Sequence, residues 1–446
     1  MIMYLYKKAP FFIKFILIQI YGLFLIKKRY TKNFHKILQY YLDMDMKEEF
    51  HFDNNKMQIQ LQNDTYYKWS KNSKIDTYPI IDKQIIKQDY EKIINKKNQK
   101  MQIYTSGTTG SGFKFAISQN FIEHQWAIFW KFRHIHGLSL NSWCAYISGK
   151  VLFDIDNSSD RFCVKSYPTK QLLMSQYHLN EKTIKKYLNE VKKNNIKWLH
   201  AYPSTLFFMA NLIRNIKLEY FAKDLGLTLI TTSSEKLFTY QKEIVENIFN
   251  CKIRELYGLT EGVVNVFECE KGTLHIDETF SYVELIPKED SDEYKIVGTS
   301  YHNSAFPLLR YFTGDTCLLY NKKTKCICGR KSRIIKEILG RDDDYLLLEC
   351  GTKIGRLDHI FKEIENIKEA QIIQKRVNLT LFLIVKAKEF SNHDEQRLIF
   401  QIHDKLGKNF RYKIKYVKNI NKTKAGKHRL VINQIKNLKT ETETLS

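Results

Sequence analysis

The 446-residue sequence has few glycines (18), fewer prolines (6) and only eight cysteines. So little glycine and proline excludes a collagen repeat and leaves no material for a flexible low-complexity linker. Eight cysteines are too sparse for the disulfide framework of a small secreted scaffold, and only Cys326 and Cys328 stand close together. The expectation is a reducing, cytoplasmic setting. Acidic residues are outnumbered, with 48 Asp+Glu against 72 Lys+Arg and a formal charge of +24. That sign invites a nucleic-acid reading. The lysines, however, are spread along the whole chain instead of gathering on one segment with aromatics between, so solvated helix faces explain them better. No nucleic-acid partner is expected; an anionic substrate or an anionic membrane surface suits the charge. At 43% hydrophobic and 27% charged residues, the chain has globular composition and can bury its core without metal or disulfide support.

Long hydrophobic runs are missing too, with one exception. Residues 10–26 read PFFIKFILIQIYGLFLI between Lys7-Lys8 and Lys27-Lys28-Arg29. Lys14 and Gln19 interrupt the run and no small-residue cleavage site follows it. It is marginal for spanning hydrocarbon, which takes about 20 mostly apolar residues. A helix packed on the body and a helix lying in a membrane interface both remain open.

What the chain does contain is alternation. Residues 102–104 and 115–118 read as two strands around a Gly/Ser/Thr loop. Residues 182–194 form a polar amphipathic helix before a strand at 197–200; a buried strand follows at 225–233, then a helix at 241–248 and a strand at 253–257. This order predicts an α/β core with parallel sheet. Past Gly340 the chain turns lysine-rich, with a strand at 381–385, and predicts a small α+β domain.

Chemistry begins at Thr105, from which every residue to Gly112 is a glycine or carries a hydroxyl. Free backbone N–H groups and hydroxyl donors are what a phosphate requires. A P-loop NTPase is excluded: Phe113 intervenes before Lys114, no Ser or Thr follows the lysine, and the next segment is a strand. A loop between two strands, closing over a triphosphate, remains.

This loop resembles the TSGTTG-x-P-x-K phosphate loop of the adenylate-forming enzymes, in their phenylacetate–CoA ligase and CapK-type branch. The resemblance recurs in order over residues 78–429. Tyr78-Pro79 to Lys83 is similar to the segment preceding the loop, and Tyr202-Pro203-Ser204 to a strand end. Ser233-Ser234-Glu235 stands at the family's adenine-side turn, and Tyr257-Gly258-Leu259-Thr260-Glu261 matches YG-x-TE in full. The region from Pro307 to Asp315 resembles P-L-x-RY-x-TGD, Cys326–Arg330 resembles C-x-CGR, 340–344 resembles GR-x-DD, and 423–429 the C-terminal GK-x-R loop. Two departures stand out: Gly112 in place of proline, and Phe312 in place of the usual arginine, although Arg310 and Arg341 lie near.

The resemblance implies an α/β fold of a large N-terminal adenylate-forming domain with layered sheets and a small, hinged C-terminal α+β domain. The expected division is 1–76 for the apolar helical N-terminal segment, 77–342 for the ATP- and acid-binding core, and 343–446 for the mobile domain. It assigns Ser106, Gly107, Thr108, Thr109, Gly110 and Lys114 to the triphosphate, and Ser234, Glu235, Tyr257 and Gly258 to the adenine side. Asp315 would take the ribose hydroxyls with Arg341 beside it, Thr260 the α-phosphate and Glu261 Mg²⁺. Lys427 would stabilise the transition state, and Asp343 would be the hinge. Trp126, Trp130, His134, His136, Trp143 and Tyr202 are candidates for an acid pocket.

Cys269, His275, Cys326 and Cys328 would form a closed Cys₃His structural zinc site; reduced cysteines in a turn and a surface histidine are the alternative. The activity implied is ATP-dependent formation of an acyl-adenylate and pyrophosphate, followed by acyl transfer to CoA, an amine such as an amino sugar, or a carrier. The setting implied is capsule or O-antigen biosynthesis in the cytoplasm, at the inner face of the cell membrane, with contact through residues 10–26. Aryl-acid catabolism of the phenylacetate–CoA ligase type, and a basic nucleic-acid-binding protein with a zinc knuckle, are the alternatives.

Overall fold

Amphipathic spacing sets the first elements in place. In the computed structural model, residues 11–29 are one helix, α1 (Phe11–Arg29), followed by α2 (Lys32–Met44). Thr31 caps α2 by accepting from the Phe34 amide, and Phe34, Ile37 and Tyr41, three and four residues apart, form its buried stripe. That stripe packs on α3 (Gln119–Ile135), which Ser118 caps in the same way. The structure describes residues 9–61, 66–70, 73–104, 114–148, 153, 161–289, 291–321, 323–341, 345–347, 353–354, 357–361, 364, 366–377, 379–422 and 428–435.

The two strands expected around the hydroxyl-rich loop pair as an antiparallel hairpin, β1 (Met101–Tyr104) and β2 (Lys114–Ile117), with Tyr104 opposite Lys114. The loop between them lies outside the described residues. Next come β3 (Cys144–Ser148), β4 (Cys163–Ser166), β5 (Gln171–Ser175), α4 (Ile184–Lys193), β6 (Trp198–His200), α5 (Pro203–Asn215), β7 (Leu229–Ser233), α6 (Thr239–Phe249) and β8 (Ile253–Gly258). β5, β3, β6, β7 and β8 run parallel in that spatial order, as the strand–helix alternation predicts. The strand expected over 225–233 begins only at Leu229. A turn comes first, in which Gly226 takes φ +58°.

From β8 the sheet continues antiparallel through β9 (Asn265–Glu268), β10 (Leu274–Ile276), β11 (Ser281–Pro287), β12 (Glu293–Ser300), β13 (Tyr311–Leu319) and β14 (Ile334–Arg341). Its full order is β11-β12-β13-β14-β10-β9-β8-β7-β6-β3-β5-β4. β13 lies four strands from β8, which is about 19 Å at ordinary strand spacing. Yet the Tyr257 hydroxyl at the end of β8 donates to Asp315 Oδ2 on β13 at 2.7 Å, so the sheet curls back on itself.

A two-stranded β15 (Leu346–Leu347) and β16 (Lys353–Ile354) precede the small domain. There β17 (Ile367–Arg376), β18 (Leu379–Lys386), β19 (Tyr412–Tyr416) and β20 (Val431–Asn433) order as β19-β18-β17-β20. Helix α7 (Asn392–Leu406) covers that sheet, and Ile372, Phe382, Ile384, Leu398 and Ile402 form a core of their own. The architecture is therefore a large α/β domain followed by a small α+β domain.

Candidate functional site

Strand ends converge at one edge of the parallel sheet. β8 delivers Tyr257 and Gly258, and the turn after it carries Thr260, exposed, and Glu261, 8% exposed. Gly262 makes that turn possible: at φ +67°, a Cβ would stand 2.0 Å from the Phe121 ring of α3. Burial raises the Tyr257 hydroxyl well above its ordinary range, with Asp315 and Glu261 adding negative charge nearby. Tyr257 thus stays a neutral donor that holds the Asp315 carboxylate at the cleft.

Asp315 lies opposite Arg341 in the β13–β14 register. Of the two arginines near Phe312, Arg310 is committed elsewhere. Its guanidinium forms a two-point pair with Glu284 at 3.0 and 2.8 Å and donates to the carbonyls of Asp76 and Tyr78. Through this and the pairing of Ile81 with Tyr311, the 78–83 segment is fastened beside β13.

Ser234, at φ +72°, turns the chain after β7. The next residue, Glu235, accepts from the Ser204 amide at the start of α5 (3.1 Å) and from the His428 amide of the small domain (2.6 Å). Burial pushes its carboxyl up, while these N–H groups oppose the shift. His428 is held further by Ala370 O at 2.8 Å. The residue that follows Lys427 is therefore anchored at the end of β7. Ser106, Gly107, Thr108, Thr109, Gly110, Asp343 and Lys427 lie outside the described residues, as do the side chains of Lys114 and Arg341.

The aromatic stripe on α3 separates the sequence candidates. Trp126 and Trp130 face inward, whereas His134 is exposed, His136 bonds Glu268 O and Trp143 packs with Tyr167. The structure adds two arginines that sequence reasoning missed. The Arg29 guanidinium lies 3.8 Å from the Trp126 ring centroid; Arg133 lies 5.8, 4.7 and 5.1 Å from Trp126, Trp130 and Trp198. Among the described residues neither has a carboxylate partner. Beside them Tyr146 stacks on His200 at 5.0 Å. Arg133 follows Trp126 by seven residues and Trp130 by three, so the i, i+4, i+7 stripe was legible; that a cation would complete it was not.

The four proposed metal ligands do come together. Their donor atoms all lie within 4.8 Å of one another, with Cys269 Sγ to Cys326 Sγ at 3.7 Å and Cys328 Sγ to His275 Nε2 at 3.4 Å. A tetrahedral site with Zn–S of about 2.3 Å has S···S edges of about 3.8 Å, so the donor set fits zinc. Ser332 Oγ holds His275 Nδ1 at 3.0 Å, which aims Nε2 at the thiols. Burial and then Arg330 lower His275 to about 4, keeping the imidazole neutral as a ligand must be. Burial pushes the Cys269 thiol up to about 12, so a cation is needed to hold it as thiolate.

Residues 346–434 match the family described as "CapK C-terminal domain". Over 98% of this chain and all of its own length, Protein CapK of Staphylococcus aureus is 25% identical. Both likenesses point to the same CapK-type relatives. The phenylacetate-coenzyme A ligase of Thermus thermophilus is 32% identical over 137 residues, covering 28% of this chain and 30% of that enzyme. The fold is shared with 2-hydroxyisobutyryl-CoA ligase in its postadenylation state in complex with R3-HIB-AMP: TM-score 0.63, 14% identity, 94% of each chain covered.

Proposed function

We propose that this chain is a CapK-type ligase that activates a carboxylic acid with ATP and Mg²⁺, forming an acyl-adenylate and pyrophosphate, then passes the acyl group to CoA, an amino sugar or a carrier. The observation that carries this reading is the Tyr257–Asp315 contact beside Glu261, with the Lys427 segment tethered to the same edge through His428 and Glu235. In it, Asp315 binds the ribose diol, Glu261 holds Mg²⁺ through oxygen, and Ser106, Thr108, Thr109 and Lys114 take the phosphates. Residues 77–342 form the ATP and acid domain, and 343–446 turn about Asp343 to deliver Lys427. Surface-polysaccharide biosynthesis at the inner face of the cell membrane is the setting the CapK likeness favours. ATP–pyrophosphate exchange against a panel of carboxylic acids tests the chemistry; protein that binds ATP yet exchanges with none of them would count against it.

Arg29 and Arg133 bear on the acid. Two half-buried guanidiniums on one tryptophan repel each other unless an anion or strong acceptor comes between them. The acid therefore carries a second polar or anionic group at the end remote from the reacting carboxylate. Dicarboxylic or hydroxylated acids should exceed plain chains of equal length by about 10- to 100-fold in kcat/KM, the scale of one charged hydrogen bond, and Arg133→Gln should abolish the preference. An unchanged preference in that variant would remove Arg133 from the pocket.

Cys269, His275, Cys326 and Cys328 hold one structural Zn²⁺ in this proposal, with no ligand position left for substrate. Metal analysis of the purified chain should give one zinc per molecule. Cys326→Ser with Cys328→Ser should lose it and lower the Tm. Full thermal stability in the metal-free variant would refute a structural role.

A further inference from the structure

Helix α1 is apolar around most of its circumference, Lys14 and Gln19 being the polar exceptions before Lys27, but the body covers only one side. Ile18 and Gly22 are buried, and a Cβ on Gly22 would stand 2.9 Å from Ser166 Oγ of β4, so this face is in tight contact. Gln19 pins the same side by donating to Lys165 O at 2.8 Å and accepting from the Tyr167 amide. The opposite side carries Phe12, Ile16, Leu17, Ile20, Leu23 and Phe24, which are 39–69% exposed. At 3.6 residues per turn these side chains, with Tyr21, sweep about half the helix surface without a polar gap. A contiguous apolar area on a protein surface marks a contact. The expectation of core packing for residues 10–26 is thus met by one face only.

Charge decides what covers the other. From Ala9 to Leu42 the sequence has no acidic residue, and none from Arg161 to Asn180. Lys27 and Lys28 close the C-terminal end of α1, while Arg161 stands over Phe11, and Lys165 of β4 and Lys170 in the turn before β5 flank Trp143. A two-fold contact between copies of this chain would set that basic rim against itself. An anionic bilayer meets it with opposite charge. Among the described residues no helix is long and apolar enough to cross a membrane.

We propose that α1 lies in the plane of an anionic membrane surface, its exposed face entering the headgroup–acyl boundary to a depth of about 5–10 Å and its basic rim on the phosphates. This gives the membrane setting above a residue-level basis without depending on ligase chemistry. α1 also leads to the site, since the Lys28 amine contacts Met101 Sδ in β1 and Arg29 contacts Trp126. The docked face is therefore contiguous with the acid side of the cleft.

Flotation of the full chain with vesicles of phosphatidylcholine, and of phosphatidylcholine with 30% phosphatidylglycerol, tests this without any substrate. The chain should float with the anionic vesicles, at least tenfold less so in Ile16→Glu/Ile20→Glu/Phe24→Glu, and progressively less as salt rises. These positions are exposed, so far-UV circular dichroism and Tm should not change. No flotation, equal flotation with neutral vesicles, or equal flotation of the triple variant would overturn the proposal. So would a concentration-dependent dimer that dissociates in the triple variant without any vesicle binding.

Discussion

In the proposed function, replacing Lys427 by alanine should lower ATP–pyrophosphate exchange by about 10²- to 10³-fold, the cost of removing one preorganised group that stabilises developing charge. The folded structure should persist, because the small domain keeps its own core of Ile372, Phe382, Leu398 and Ile402. Attack of a carboxylate on the α-phosphate gathers negative charge that a single ammonium can meet directly. His428 gives the effect its structural footing: its amide donates to Glu235 at 2.6 Å and its ring to Ala370 O, so the chain beside Lys427 sits at the end of β7. Asp315→Ala provides the contrast. In the proposed function it removes the ground-state contact to ribose, and it leaves the Tyr257 hydroxyl without its acceptor, so KM for ATP should rise with a smaller loss in rate. If Lys427→Ala exchanges within tenfold of the parent, another cation stabilises the transition state and the mobile-domain assignment fails.

The second large effect is on stability. Lys131 of α3 is 1% exposed and faces three carboxylates: Asp45 at 3.2 Å, Glu48 at 2.9 Å and Asp277 at 2.8 Å. Arg330, from the Cys-x-Cys loop, contacts Asp45 from the other side at 2.8 Å. Burial pushes Asp277 up to about 7 against the pull of Lys131, with Glu48 adding to the rise. Lys131 thus serves three acids, and Arg330 shares Asp45 with it while also pairing with Glu270 at 2.8 Å, so the links join the end of α2, α3, the turn after β9, the loop after β10 and the metal loop. Lys131→Met, similar in length but uncharged, would leave buried carboxylates unpaired and cost about 3–5 kcal/mol. Denaturant titration should show the loss, and adding Glu48→Gln and Asp277→Asn should restore part of it, since the buried charges are then gone. A loss under about 1 kcal/mol in the single variant would mean that water or protons already neutralise the cluster.

The local, repeating features were legible in the sequence. The β1–β2 hairpin around the hydroxyl-rich loop, the parallel order of β6, β7 and β8, and the small domain all follow from periodicity and strand–helix alternation, because those patterns are set by neighbours in the chain. So were the residues bearing Tyr257, Glu261, Asp315 and the Cys-x-Cys turn, whose chemistry is written in short motifs. The meeting of the four metal ligands was expected from the motifs; the hydrogen bond between Tyr257 and Asp315 was not. Tyr257 and Asp315 touch only because the sheet curls through three intervening strands, and Cys269 and His275 reach Cys326 and Cys328 only because β9, β10 and the loop before β14 are neighbours. Arg310 and Arg341 both lie near the Phe312 departure, but a Glu284 many residues away in sequence claims the Arg310 side chain. The buried Lys131 cluster and the Arg29–Arg133 pair likewise left no local signal, since a lysine or arginine on a helix reads as solvated until its surroundings are known. Sequence determined which elements form and which chemical groups they carry, through forces acting over a few residues. Tertiary structure decided which of those groups meet, because burial and charge pairing depend on distance in space and not along the chain.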